Sequence, residues 1–360
     1  MIVTYIHSNY PEDSSQVQLR CRNFADAINR IGWHSANLLD LDAFAQNTAH
    51  AQKVCAGSDL LILHRYLCGS AIRSIEYWKA RDKKVIVDVD CALDHLTPDI
   101  ASHSFWFEGG PLCKGVSDIA VRENESEPVP LEQFKWGLGL VDAAIVSSTR
   151  LAMDWSPFTT VYEIPDYLNI DQYPACKQIH ETEIWLGLAG NTRISTIISS
   201  GLSAALECVC QKHPQVKLAM SGVGNDLGNV LNIPAAQLVT YPRGRFEEWS
   251  NLLLKLDIGL LPIHGEYDLR SGRMDLLEFM ISKTSWIASN QPSFREFSRY
   301  GRLVPNSSKS WEGAILKAID NIDILRKRAA GEPFLFALSQ DVNENIDKVL
   351  RLFTDILNQA

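Results

Sequence analysis

The chain has 360 residues, 46% apolar and 21% charged, with a formal net charge of -9. These values exclude a disordered or collagen-like polymer and argue against a protein that coats nucleic acid. The length suits two domains of ordinary size, and the charge balance suits a small-molecule partner.

The first segment, MIVTYIH, has no basic start and turns acidic soon afterwards, so it reads as a strand rather than a leader. A helix follows around LRCRNFADAINRIG, with Gly32 as its stop signal, and then a strand in HSANLLDL. The strand DLLILHRY, a helix around AIRSIEYWKARDKK, and the strands VIVDVD and DAAIVSS continue the series. Apolar runs of this kind, alternating with amphipathic stretches, predict parallel strands buried on both faces and joined by crossover helices. Between His103 and Glu132 the pattern breaks into a Gly-, Pro- and acid-rich stretch, read as a loop over the domain. IPDYLNIDQYPACKQIHETE is polar and proline-containing, the composition of a linker. A second series then runs through IWLGLAG, VKLAMSG, QLVTY, DIGLLPI and SWIAS. The tail places Ile346, Val349, Leu350, Phe353, Ile356 and Leu357 at helical spacing. The expected fold class is therefore α/β, two Rossmann-like doubly wound domains in tandem. The expected boundaries are 1–170, a linker at 171–183, 184–338, and a tail helix in 339–360.

The cysteines lack a CxxC pair, which predicts reduced thiols and a cytoplasmic setting; Cys208 and Cys210 read as core or helix-surface residues. No apolar run is long enough to span a membrane, which leaves only peripheral membrane contact open.

Ligands of open α/β domains bind beyond the carboxyl ends of the strands, so post-strand residues are the candidates. After DIGLLPI comes HGEYDLRSG and then a helix, GRMDLLEFMIS, with Leu276, Leu277 and Met280 on its core face. Ser271 is the expected N-cap, and the helix start is an anion site reinforced by Arg270 and Arg273. Glu278 falls nearly two turns after Ser271, a rise of roughly 10 Å, the span from a diphosphate to a ribose whose hydroxyls a carboxylate accepts from. After IWLGLAG, Gly190 and Asn191 permit close backbone approach, and Arg193 can reach a phosphate oxygen. LAMSGVGNDLG misses the dinucleotide fingerprint because Gly228 comes one residue late. After VIVDVD, Asp88, Asp90, Asp94 and His95 cluster.

DIGLLPI followed by LRSGRMDLLEFMISKTSWIASNQPSFREF resembles the C-terminal signature of retaining GT-B glycosyltransferases of the "glycosyl transferases group one" type. The resemblance implies two domains facing a central cleft and a tail helix crossing back to the N-terminal domain. It further implies a donor ribose on Glu278, and a donor diphosphate held by Gly190, Asn191, Arg193, Arg270, Ser271, Gly272 and Arg273. The nucleotide base would lie near Tyr241, Pro242 and Arg243. Asp90, Asp94 and His95 would face the transferred sugar or polarise an acceptor hydroxyl. The implied activity is a metal-independent, hexosyltransferase-like transfer from a nucleoside diphosphate sugar, with retention, to a glycan, lipid-linked, small-molecule or protein acceptor. No cofactor beyond that co-substrate and no nucleic-acid partner are implied. The sequence departs from the family where Arg270 replaces a glutamate, Ser271 and Gly272 replace a Lys-Ser pair, and Asp275 replaces a lysine. Two alternatives stay open. One is a degenerate GT-B module that binds a nucleotide sugar or a partner protein without turnover. The other is a metal-dependent GT-A enzyme using Asp88 and Asp90.

Overall fold

The computed structural model describes residues 1–359 other than 11–12, 111–127, 175, 190–191, 222–229 and 242–245. The chain forms two compact units. The first comprises Met1–Tyr167, Arg270–Gly272 and Val342–Ala360; the second comprises Leu168–Leu269 and Arg273–Asp341.

In the first unit the strands are β1 (Ile2–His7), β2 (Ser35–Asp40), β3 (Leu60–His64), β4 (Lys84–Val89), β5 (Ala143–Val146) and β6 (Val161–Glu163). They form one parallel sheet in the order β2-β1-β3-β4-β5-β6. Every residue of LLILH in β3 is buried, as a central strand covered on both faces must be. The helix Asn23–Ile31 ends on Gly32, whose φ of 80° is the left-handed conformation that glycine adopts without penalty. Its Phe24 and Ile28 pack on Val3, Tyr5, Leu60 and Ile62 of the sheet. The tail helix Val342–Asn358 belongs to the same core, with Ile346, Val349, Phe353 and Ile356 buried there. Each such side chain contributes about 1.5–3 kcal/mol by leaving water.

In the second unit β7 (Ile184–Leu188), β8 (Val216–Ser221), β9 (Leu238–Tyr241), β10 (Ile258–Leu261), β11 (Ser285–Ser289) and β12 (Arg302–Val304) form a parallel sheet in the order β12-β11-β10-β7-β8-β9. The order reverses between β7 and β10, as it does between β1 and β3 in the first sheet; such reversals open the crevice where doubly wound sheets hold ligands. Gly187 and Gly259 lie side by side across β7 and β10. A Cβ on Gly187 would meet Leu256 at 2.2 Å, and one on Gly259 would meet the Phe279 ring at 2.5 Å. Both glycines are therefore packing positions. Gly187 is inside the strand β7.

Three further features differ from the sequence reading. His103–Glu108 is a helix, within a stretch expected to be loop. The short edge strands β6 and β12 were not foreseen. Residues 168–183 are not a free tether: Leu168 N donates to Gln340 O, Gln178 N to Leu254 O, and the Lys177 ammonium to Leu253 O, Leu256 O and Thr284 Oγ1.

Candidate functional site

Buried charge is concentrated at the carboxyl edge of the first sheet. Arg20, 1% exposed, sits in the wide helical turn Gln18–Arg22. Its Nε lies 3.1 Å from both Asp88 oxygens, and its Nη1 donates to Ile164 O at 2.9 Å and to Asp166 Oδ1 at 3.3 Å. Burial pushes the Asp88 carboxyl up, with Arg20 pulling against it.

One position along, Arg65 grips Asp90 with Nε at 2.5 Å and Nη2 at 2.7 Å, while its Nη1 donates to Asp13 at 2.9 Å. Burial opposes the charge on Asp90, but Arg65 and the nearby His64 override it and hold the carboxyl well below its usual range. Asp13 also accepts from Ser8 Oγ at 2.5 Å and Tyr66 Oη at 2.7 Å. Arg65 reaches this position with φ at 67°, a left-handed backbone that costs a non-glycine residue about 1–3 kcal/mol.

His64 is buried against this network, its Nε2 3.5 Å from Asp90 Oδ1, and among the described residues neither of its ring nitrogens has a hydrogen-bond partner. His7, at the end of β1, donates from Nδ1 to Ser8 O at 2.9 Å, and burial lowers its pKa.

The structure therefore separates the three residues proposed near the acceptor. Asp90 is fixed in a buried ion pair, with 3% of its side chain exposed. Asp94 and His95 lie together on the turn Leu93–His95, 3.8 Å apart, and both are half-buried.

In the second unit Arg193 follows β7 and Asp268 follows β10, the two strands where the sheet order reverses. Arg193 Nη2 donates to Asp268 Oδ1 at 2.7 Å; Thr196 Oγ1 at 2.7 Å and His264 N at 3.2 Å donate to Oδ2. Glu278 is 5% exposed. Its Oε1 accepts from Tyr173 Oη at 2.9 Å and its Oε2 from Trp249 Nε1 at 2.8 Å, which fixes the carboxylate in one orientation. Burial, together with Glu278, drives the Tyr173 pKa well up, so its hydroxyl keeps its proton and donates.

The helix carrying Glu278 is Met274–Ile281, and Arg273 stands at its N-cap without a side-chain cap bond. The expected Ser271 cap is corrected: residues 271–273 are not helical, so Glu278 is only one turn past the helix start. Arg270 donates from Nε to Asp154 Oδ2 at 2.5 Å and from Nη2 to Asp154 Oδ1 at 3.0 Å, and its carbonyl accepts from Ser148 Oγ at 2.9 Å. Gly272 lies against Asp166, where an added Cβ would come within 2.0 Å of Oδ2. Arg273 Nη2 donates to Gln340 Oε1 at 2.8 Å. Tyr241 ends β9 and lies beside Lys255, 3.3 Å from Oη to Nζ. Gly190, Asn191, Pro242 and Arg243 lie outside the described residues, as does Gly228.

Sequence reasoning missed Asp268, Thr196, Tyr173, Trp249, Arg20 and Asp13. Asp268 was accessible to the post-strand rule, since it closes the short helix Gly265–Asp268 that follows DIGLLPI. The donors to Glu278 come from residues 105 and 29 positions away and leave no local signal.

No family model matches the chain, and no curated protein matches it by sequence. Solved structures do. Sucrose-phosphate synthase from Thermosynechococcus elongatus matches with a TM-score of 0.66 at 12% identity, over 99% of each chain. The catalytic domain of starch synthase IV from Arabidopsis thaliana, bound to ADP and acarbose, matches with a TM-score of 0.65 at 9% identity, over 100% of each chain. The fold is GT-B. A putative UDP-N-acetylglucosamine 2-epimerase from Listeria monocytogenes matches over 100% of this chain and 97% of its own, with a TM-score of 0.55 at 8% identity. The GT-B fold thus leaves the chemistry to the site. It does overturn the GT-A alternative, and the residues agree: Asp88 and Asp90, the proposed metal pair, are each already held by an arginine. Among the described residues no group of three His, Cys, Asp or Glu side chains is placed to hold a metal ion, and no helix is long and apolar enough to cross a membrane.

Proposed function

We propose that the protein is a glycosyltransferase that moves a sugar, a hexose by the sequence resemblance, from a nucleoside diphosphate donor to an acceptor hydroxyl, with retention and without a metal. The observation that carries the reading is the convergence of Arg193 and Thr196 on Asp268 beyond β7 and β10, where the second sheet reverses its order, with Glu278 on the next helix of the same unit. The matching GT-B synthases, one of them bound to ADP, support it.

In this reading the second unit binds the donor. Arg193 and the helix start at Met274–Ile281, with its favourable dipole, meet the diphosphate and stabilise the charge that builds on it as the sugar leaves. Gly190, Asn191 and Arg273 belong to the same proposed set, whereas Arg270, Ser271 and Gly272, which the sequence resemblance places with them, group with the first unit, where Arg270 is engaged by Asp154. Glu278, fixed by Tyr173 and Trp249, accepts from the ribose, and the base lies towards Tyr241, Pro242 and Arg243. The first unit takes the acceptor. Asp94 and His95 polarise its hydroxyl, and Asp90 acts one step back by positioning Arg65.

Thermal shift with UDP, GDP and ADP tests the donor site and names the base. A ligand at 100 times its Kd stabilises by about 2.7 kcal/mol. The reading fails if none of the three raises the melting temperature, or if the productive one protects Glu278→Ala as well as wild type.

A second reading, a binding module without turnover, is favoured by the engagement of Arg270 with Asp154 and by the acidic Asp275 in the first turn of the helix. Donor binding with neither hydrolysis nor transfer to any acceptor would select it.

A further inference from the structure

The hydrogen bonds of Asp268 describe a site as much as they describe a side chain. A guanidinium, a hydroxyl and a main-chain N–H, from Arg193, Thr196 and His264, converge on one carboxylate at 2.7, 2.7 and 3.2 Å. This is the donor set that phosphate oxygens use, with the charged donor giving the short, strong contact. The site is built rather than incidental: Thr196 is buried, and the side chains of Arg193 and Asp268 are only 18% and 12% exposed. Arg193 is also held from one side, its guanidinium carbon 5.2 Å from the centre of the Tyr267 ring. The three donors come from the segments after β7 and after β10, at the reversal of strand order.

We infer that Asp268 is a resident occupant of an oxyanion site made by Arg193, Thr196 and His264 N–H, and that an incoming phosphate group enters by displacing it. The identification of that group as part of a nucleoside diphosphate rests on the proposed function. While Asp268 is seated, Arg193 is neutralised and a second anion meets a like charge. Apparent affinity is therefore the intrinsic affinity multiplied by the fraction of molecules in which Asp268 has swung away. A positioning role for Asp268, holding Arg193 ready for the phosphate, makes the opposite prediction: removing the carboxylate would weaken anion binding.

The test is calorimetric titration of inorganic pyrophosphate, at fixed low salt, into wild type, Asp268→Asn, Asp268→Ser and the double variant Arg193→Met with Asp268→Asn. Thermal melts establish which variants are folded, and the serine variant substitutes if the asparagine variant is not. The expected result is affinity at least about tenfold tighter without the carboxylate, with the gain lost when Arg193 is also removed. Affinity unchanged or weakened in the Asp268 variants, or a gain that survives loss of Arg193, overturns the inference. UDP, GDP and ADP titrated in parallel separate the two readings. A gain for pyrophosphate without binding of any nucleotide upholds the oxyanion site and removes the donor assignment.

Discussion

Replacing Arg20 by methionine keeps an unbranched stem as far as the Nε position and removes the charge, leaving two buried carboxylates facing each other's field. Asp88 is 1% exposed and Asp166 8%, and both draw on the guanidinium at 3.1 and 3.3 Å. Ile164 O loses its 2.9 Å donor as well. Breaking a buried ion pair from one side costs about 3–5 kcal/mol, because the remaining charge is uncompensated. For a domain of this size each kcal/mol moves the melting temperature by about 2–4 °C, so the expected loss is about 6–20 °C at pH 7. The pH dependence gives a second reading of the same cause. The folded Asp88 pKa is already raised by burial, so the native state holds that proton more tightly than the unfolded chain does. Its contribution to stability is present at low pH and is lost as pH rises through the folded pKa. Without Arg20 that pKa rises further, so the deficit should shrink as pH falls from 7 towards 5. Circular dichroism melts of both proteins across that range provide the measurement. A loss under about 1 kcal/mol, or a deficit that does not change with pH, refutes the argument that Arg20 is held by charge compensation.

Glycine substitutions should divide by what their Cβ meets. Gly313→Ala, in an exposed helical position with nothing within 4 Å, should stabilise by up to about 1 kcal/mol. Gly272→Ala, 2.0 Å from Asp166, should destabilise by about 1–3 kcal/mol in urea unfolding. Glu278→Gln turns an acceptor into a mixed group facing two donors, and should cost about 1–3 kcal/mol in the same assay; Tyr173→Phe should cost less. Lys177 is partly buried, and the loss of water around its ammonium lowers its pKa from 10.5 to about 7. The unfolded chain therefore binds that proton more tightly, and the Lys177 contribution to stability should grow as pH rises from 7 to 10. Lys177→Met should abolish that increment, measured as the difference between wild-type and variant unfolding midpoints.

The doubly wound architecture was legible because buried parallel strands are apolar on both faces. LLILH and VIVDV announce themselves from composition alone. The strands that escaped, VYE and RLV, are three-residue edges whose half-exposed side chains carry no such run. At the site, the post-strand rule found Arg193, Arg270 and Asp90 as positions of interest, but it could not say that each would face a carboxylate or a guanidinium. The partners are Asp268, Asp154 and Arg65, separated from them by 75, 116 and 25 residues. Pairing across such distances is set by strand order, which periodicity does not encode. The helix start failed for a local reason. Ser271 is an ordinary capping residue, but Arg270–Gly272 is drawn into the first unit, and the helix begins only beyond it.

The helix Val342–Asn358 has a consequence for how the molecule is made. It shares one core with Val3, Phe24, Ile28 and Ile62, residues translated before the second unit, and its own side chains are translated after that unit. A ribosome-bound chain that has emitted all of the first sheet still lacks part of that sheet's core, and the second unit emerges in the interval. The first unit should therefore reach full protease resistance only once this helix has emerged, while the second is already protected. A fragment ending at residue 170 should behave as an aggregation-prone intermediate rather than as an isolated domain.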